Sequence, residues 1–238
     1  MIQPNCRVQF TARDIDFILT VLGSKAGDAD ALVRLLSDTD TRDSILDDPS
    51  LLRALLEKGI CLQVSTHFYF YVLVRSVLKR SGIDDREVAD YVAEVLAEYS
   101  RLERTRFVIG GQAVPLDYFF EMLAALQTAD DRTAFYIRAH IGNYSLFFSG
   151  VFPERIRFRA EYKGFPDERY YAALGRASFR AASDHRLARQ YNLASIYNTL
   201  AERFEPARLA LNDLAERLLF VGGGGEASIQ SLLQKGLN

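Results

Sequence analysis

Apolar residues recur along this chain at intervals of three and four, the period of a helix rather than the alternation of a strand. Ile15, Ile18, Leu19 and Leu22 make the first stripe, behind Thr11-x-x-Asp14, a variant of the capping box. The most regular stripe runs over 84–104. There Val88, Tyr91, Val92, Val95, Leu96, Tyr99 and Leu102 fall on one side, with Asp90, Glu94, Glu98 and Arg101 opposite, which predicts a solvated acidic face. Leu116, Phe119, Phe120 and Leu123 repeat the pattern, as do Tyr170, Tyr171, Leu174, Ala177 and Ser178. Two more stripes follow: Leu193, Ile196, Tyr197, Leu200 and Phe204, then Leu211, Leu214, Ala215 and Leu218.

The punctuation agrees with the period. Pro49, Pro115, Pro153, Pro166 and Pro206 each precede a stripe, where a first-turn position tolerates the missing N–H, and Asp48 is placed to cap the helix at Pro49. Lys79-Arg80-Ser81-Gly82 sets cations before a glycine, the mark of a helix end, and Glu57-Lys58-Gly59 does so on a smaller scale. The run over 68–74 is rich in strand-forming residues. Ser65-Thr66 upstream offers a cap, however, and the stop at Gly82 lies downstream, so a helix is predicted there. Residues 106–114 predict a small hairpin through Gly110-Gly111 with no partner strands.

The fold class that follows is all-α: a multi-helix bundle of about ten helices ending in helical hairpins. The expected organisation is one all-α domain over 1–221, with short N-terminal helices at 11–58, a central core at 60–150 and C-terminal helical hairpins at 153–221. Residues 222–238 read as a glycine linker and a short amphipathic tail bearing Ile229, Leu232 and Leu233.

Composition narrows the classes. With 49% hydrophobic and 25% charged residues the chain is ordinary for a soluble globular protein, and disorder over most of its length is excluded. A net charge of −2 excludes a global basic field aimed at nucleic acid or membranes. The charge is uneven, though: 28–48 holds seven Asp against two Arg, and 151–189 holds nine Lys/Arg against five Asp/Glu. Cys6 and Cys61 have no metal-ligand spacing. The first residues lack the layout of a signal peptide, and the most apolar stretch, 60–78, contains Gln63, Ser65, Thr66, His67, Arg75 and Ser76. It reads as a buried helix rather than a membrane span, so a cytoplasmic protein without a membrane partner is expected.

Most catalytic motifs are missing. There is no HExxH, no GxxxxGK[ST] and no GxSxG, and none of His67, His140 or His185 has Glu three residues before it. Neither a metal nor a cofactor is expected. Asp90/Glu94 and Asp117/Glu121 are carboxylates at i, i+4, which a solvated helix face accounts for.

Two constellations remain. His67, Tyr71 and Arg75 share one face at i, i+4, i+8; His140 and Tyr144 stand at i, i+4, with Asn143 one step round and Arg138 nearby. Both groups sit among apolar residues, where a buried Arg or His must find partners. One reading is a small-ligand pocket for an anion or aromatic molecule, and the other is an internal polar network.

The second constellation is Arg180-Ala-Ala-Ser-Asp-His185. Its R-x4-H spacing resembles the RNase motif of HEPN domains, which are themselves all-α. The resemblance rests on two positions within six residues. It implies that Arg180 and His185 assist phosphodiester cleavage with the RNA 2′-OH as nucleophile. Ala181 stands where active members usually carry a polar residue, which puts that activity in doubt. The structural alternative has Ser183-Asp184 capping a helix that begins near His185. Arg155, Arg157 and Arg159, interleaved by Ile156 and Phe158, supply the surface on which RNA is expected.

The leading functional expectation is non-enzymatic: a protein–protein interaction or scaffold module that self-associates, as a homodimer, or takes another protein partner. The acidic 28–48 and basic 151–189 segments are suited to attract one another within or between copies. An RNA-cleaving domain using Arg180 and His185, and a ligand-binding bundle around His67, Arg75 and His140, are the alternatives.

Overall fold

Many of the helices begin where the sequence supplies a side-chain acceptor. The chain is described by a computed structural model over residues 1–26, 38–57, 64–100, 107–109, 112–114 and 119–221. A 3₁₀ turn at Arg7–Gln9 leads into α1 (Ala12–Ala26), α2 (Thr39–Leu46), α3 (Pro49–Leu56), α4 (Thr66–Arg80) and α5 (Arg86–Tyr99). After a two-stranded antiparallel hairpin, β1 (Phe107–Ile109) and β2 (Gln112–Val114), come α6 (Phe119–Thr128), α7 (Asp131–Val151), α8 (Pro153–Lys163) and α9 (Glu168–Asp184). The last helices are α10 (Arg186–Gln190), α11 (Ala194–Glu202) and α12 (Phe204–Val221). The fold is an all-α multi-helix bundle.

Asp38, Asp48, Ser65, Asp85, Asp130 and Asp167 each accept a first-turn N–H from their helix. Each such cap contributes about 1 kcal/mol. The stretch over 68–74 is helical, started by Ser65 and ended at Ser81, with Gly82 in the left-handed region at φ 77°. Pro49 and Pro153 occupy first-turn positions as expected, whereas Pro166 lies before the Asp167 cap, outside its helix. The 222–238 tail, Cys61, Gly110-Gly111, Asp117, and the ends of two stripes at Arg101, Leu102 and Leu116 lie outside the described residues.

Buried residues from Cys6 to Leu214 form one hydrophobic cluster. At its centre α7 packs along α9 and α12, α9 also packs against α11, and α4 lies between α5 and α12. Two glycines let the central helices approach. A Cβ on Gly175 of α9 would stand 2.6 Å from the Phe204 ring and 2.7 Å from the Ser145 Cβ, and one on Gly142 of α7 would stand 2.7 Å from the Phe179 ring.

Three predicted faces are corrected. Asp90 and Glu94 are not solvated: they are 1% and 5% exposed, because the N-terminal segment lies across that side of α5. On α9 the inward face is Tyr171, Ala172, Gly175, Ser178, Phe179 and Ala182, so Tyr170 and Ala177 turn outward. On α6, Phe119 and Met122 are buried and Phe120 is exposed. Among the described residues no helix is long and apolar enough to cross a membrane.

Candidate functional site

His67, Tyr71 and Arg75 do share a face of α4, and all three are buried. The face is met by carboxylates and by the chain's own N-terminus. Arg75 donates to both oxygens of Asp47 at 2.8 and 3.0 Å and to Asp84 at 2.5 Å, and Lys79 reaches Asp47 at 3.1 Å. Arg7 lies over the Tyr71 ring at 5.6 Å and donates to Asp43 at 2.8 Å and to Glu87. Its backbone N–H donates to Asp90 at 2.8 Å, and Gln9 donates to Glu94 at 3.1 Å. His67 Nε2 is 3.6 Å from the Glu94 carboxylate, and the Cys6 thiol donates to the His67 carbonyl at 3.2 Å.

Burial pushes the Asp90 carboxyl up to about 6 against the pull of the Arg7 N–H and guanidinium. Burial likewise raises the Cys6 thiol well above its ordinary value, so it is not an activated nucleophile. This arrangement is a covered ionic network. It also engages two of the described carboxylates expected to attract the basic segment, Asp43 and Asp47, which Arg7, Arg75 and Lys79 hold.

The α7 group turns elsewhere. His140 Nδ1 is 3.2 Å from the Tyr99 hydroxyl, and its Nε2 is out of water although the residue keeps some exposure. Burial lowers the ring to about 4, so it is neutral at pH 7. The Asn143 side-chain carbonyl accepts from Tyr91 at 2.9 Å, and the Tyr91 hydroxyl also lies 3.4 Å from that of Tyr197. Tyr144 packs on Phe119 and Phe148 with ring centroids 5.3 and 4.2 Å away, and Arg138 is half-buried on the same helix. Thus the α4 group faces the acidic side of α5 and the N-terminal segment, while His140 and Asn143 face Tyr99 and Tyr91.

Arg180 and His185 also diverge. Arg180 is exposed and donates to Asn198 of α11 at 2.5 Å, with Glu202 at 3.5 Å. His185, not Ser183-Asp184, caps α10: its Nδ1 accepts the Leu187 N–H at 3.1 Å. The ring stacks on Phe135 at 5.0 Å, and Nε2 approaches Asp131 of α7 at 3.1 Å. A neutral imidazole accepting through Nδ1 carries its proton on Nε2. In that form Nε2 is a donor and cannot take a proton from a nucleophile.

What the stripes missed is α8. It buries one side chain of eleven, Ile156, while Phe158 and Tyr162 are 54% and 67% exposed. Their rings pair at 4.9 Å, and Arg155 and Lys163 are exposed beside them. The interleaved Arg and Phe of 155–159 were the available signal. Arg157, by contrast, is bonded to Glu154 and Glu168 at 2.6 and 2.7 Å.

The features together define an all-α bundle whose candidate catalytic groups are bonded into the fold and whose α8 carries an uncovered aromatic and basic face. Among the described residues no group of His, Cys, Asp and Glu is arranged to hold a metal. Compared with protein-family models, curated proteins and solved structures, the chain matches none.

Proposed function

We propose that the chain is a non-enzymatic interaction module whose working surface is the outer face of α8. The observation that carries this reading is an eleven-residue helix with one buried side chain and two large exposed aromatics. Short helices draw their stability from packing, so α8 has more to gain from a partner than a helix already buried. Exposed aromatic residues flanked by Arg are the composition of binding hot spots.

The RNA-cleaving alternative needs Arg180 and His185 to converge on one phosphate with Nε2 free to move a proton. Their bonds to Asn198 and Leu187 point the two groups to different neighbours. A photo-crosslinking benzophenone side chain in place of Phe158, installed in cells, tests the interaction reading. An adduct at 158 that is missing at the equally exposed Leu209 is expected; no adduct at either position, or the same adducts at both, refutes it.

A further inference from the structure

We propose that Asp43, Tyr71, Glu87 and Asp90 build a guanidinium-recognition site, filled in cis by Arg7 and open to the arginine side chain of a peptide or protein partner when residues 1–9 lift away. Those residues form a strap held by polar contacts to distant elements. Arg7 donates to Asp43 and Glu87, its N–H to Asp90, Gln9 to Glu94, and the Cys6 thiol to the His67 carbonyl. Within the strap only Cys6 is buried, and Val8 is 85% exposed. A short 3₁₀ turn with no side-chain cap and little buried surface belongs to the part of a fold that opens first. Phe10 anchors the far end, its ring 5.2 and 5.8 Å from those of Phe68 and Tyr71.

What lies under the strap exceeds what Arg7 uses. The Tyr71 hydroxyl, on a residue with no exposure, and Asp43 Oδ1, on one 6% exposed, have no hydrogen-bond partner among the described residues. Arg7 lies over the Tyr71 ring and bonds Asp43 through Oδ2, while its Nε stays 3.6 Å from Asp90. The bonds at Cys6 and at the Arg7 N–H fix where that guanidinium reaches, a restriction that an arginine on another chain escapes. With Arg7 lifted away, the carboxylates of Asp43, Glu87, Asp90 and Glu94 outnumber the cations beside them, Arg42, Arg86 and His67, so the cleft selects a cation. Carboxylates around an aromatic face favour a planar guanidinium over an ammonium. This site and the α8 face are independent of one another.

Cys6 rides on the strap, so its alkylation by N-ethylmaleimide reads opening in the intact chain; mass spectrometry of the Cys6 peptide sets Cys61 aside, and each rate is referenced to the same variant in urea. Cys6 should react faster than global unfolding allows, at a rate insensitive to low urea. Arg7→Ala should speed the reaction by about tenfold or more, and Glu87→Gln, at an exposed side chain and so tolerated by the fold, by about threefold. Nα-acetylarginine amide at about ten times its Kd should raise the wild-type rate by about tenfold, because it binds only the open cleft. Nα-acetyllysine amide should not, and Asp43→Asn should abolish the response. Alkylation only as fast as the whole chain unfolds overturns the strap. A rate that the arginine amide leaves unchanged, that the lysine amide raises equally, or that still responds in full in Asp43→Asn overturns the guanidinium site.

Discussion

Two buried groups pull the pH dependence of stability in opposite directions over one window. The Asp90 carboxyl rises from 3.8 in the open chain to about 6 in the fold, through burial against the opposing Arg7 bonds. The folded chain therefore holds that proton more tightly than the unfolded one. Stability from this group is complete below about pH 4 and is lost as pH rises through about 6. The His140 ring drops from 6.5 to about 4, through burial alone. Its contribution is complete above about pH 6.5 and is lost as pH falls toward about 4. At about 1.4 kcal/mol per tenfold change in proton affinity, each effect spans at most about 3 kcal/mol, and they nearly cancel.

Urea unfolding followed by circular dichroism, at steps from about pH 4 to about pH 7, separates them. His140→Phe should leave the Asp90 slope uncovered, so that this variant grows less stable as pH rises. Asp90→Asn should do the reverse and lose stability on acidification, while its amide oxygen still accepts the Arg7 N–H. The double variant should be flat again. Packing changes offset each curve without tilting it, so the slopes are what is read. The carboxyls of Asp38, Asp47, Asp84, Asp130 and Glu205 are held below their ordinary values by hydrogen bonds and cations. They act on the acid side of this window and are common to all variants. Curves for the two single variants that run parallel to wild type would refute the reasoning.

Three further outcomes can be measured by the same unfolding assay. Gly175→Ala should destabilise by about 1–3 kcal/mol, because its methyl must displace the Phe204 ring or the Ser145 side chain; an unchanged midpoint would mean α9 and α12 have slack. His185→Ala should cost about 1 kcal/mol as a lost helix cap and His185→Asn much less, and neither change should alter RNA integrity in a cleavage assay. Phe158→Ala and Tyr162→Ala should each stay within about 0.5 kcal/mol of wild type, since both rings are exposed; a larger loss would mean they serve the fold.

The bundle was legible because helix period, caps and stops agree locally: Asp48, Ser65 and Gly82 do where they stand what their chemistry predicts. The faces were less legible, because burial depends on what arrives from far along the chain. Nothing at positions 90 and 94 announces that Arg7 and Gln9 will cover them, and an i, i+4 acidic pair looks the same solvated or bridged. Tyr170 failed for a related reason, since counting apolar residues cannot rank two adjacent tyrosines, whereas packing around Gly175, Tyr171 and Phe179 turns one of them inward. The His/Tyr/Arg cluster was legible only as spacing along two helices. Its division between the Arg7 network and the Tyr91–Tyr99 side of α5 is a tertiary fact that spacing does not carry.

Net charge says little about this surface because so many arginines are consumed within the fold. Arg7 ties α2 to α5, Arg75 holds Asp47 and Asp84, and Arg208 of α12 reaches Glu168 of α9 together with Glu205. The Arg75 site needs a planar fork that meets two oxygens of Asp47 at once. Arg75→Lys should therefore cost about 2 kcal/mol, the loss of a charged hydrogen bond at a residue 3% exposed. Urea unfolding followed by circular dichroism reads that loss as a lowered midpoint. A midpoint unchanged in Arg75→Lys would mean that positive charge alone holds Asp47, and that the two-oxygen contact of the guanidinium is the wrong account of this site.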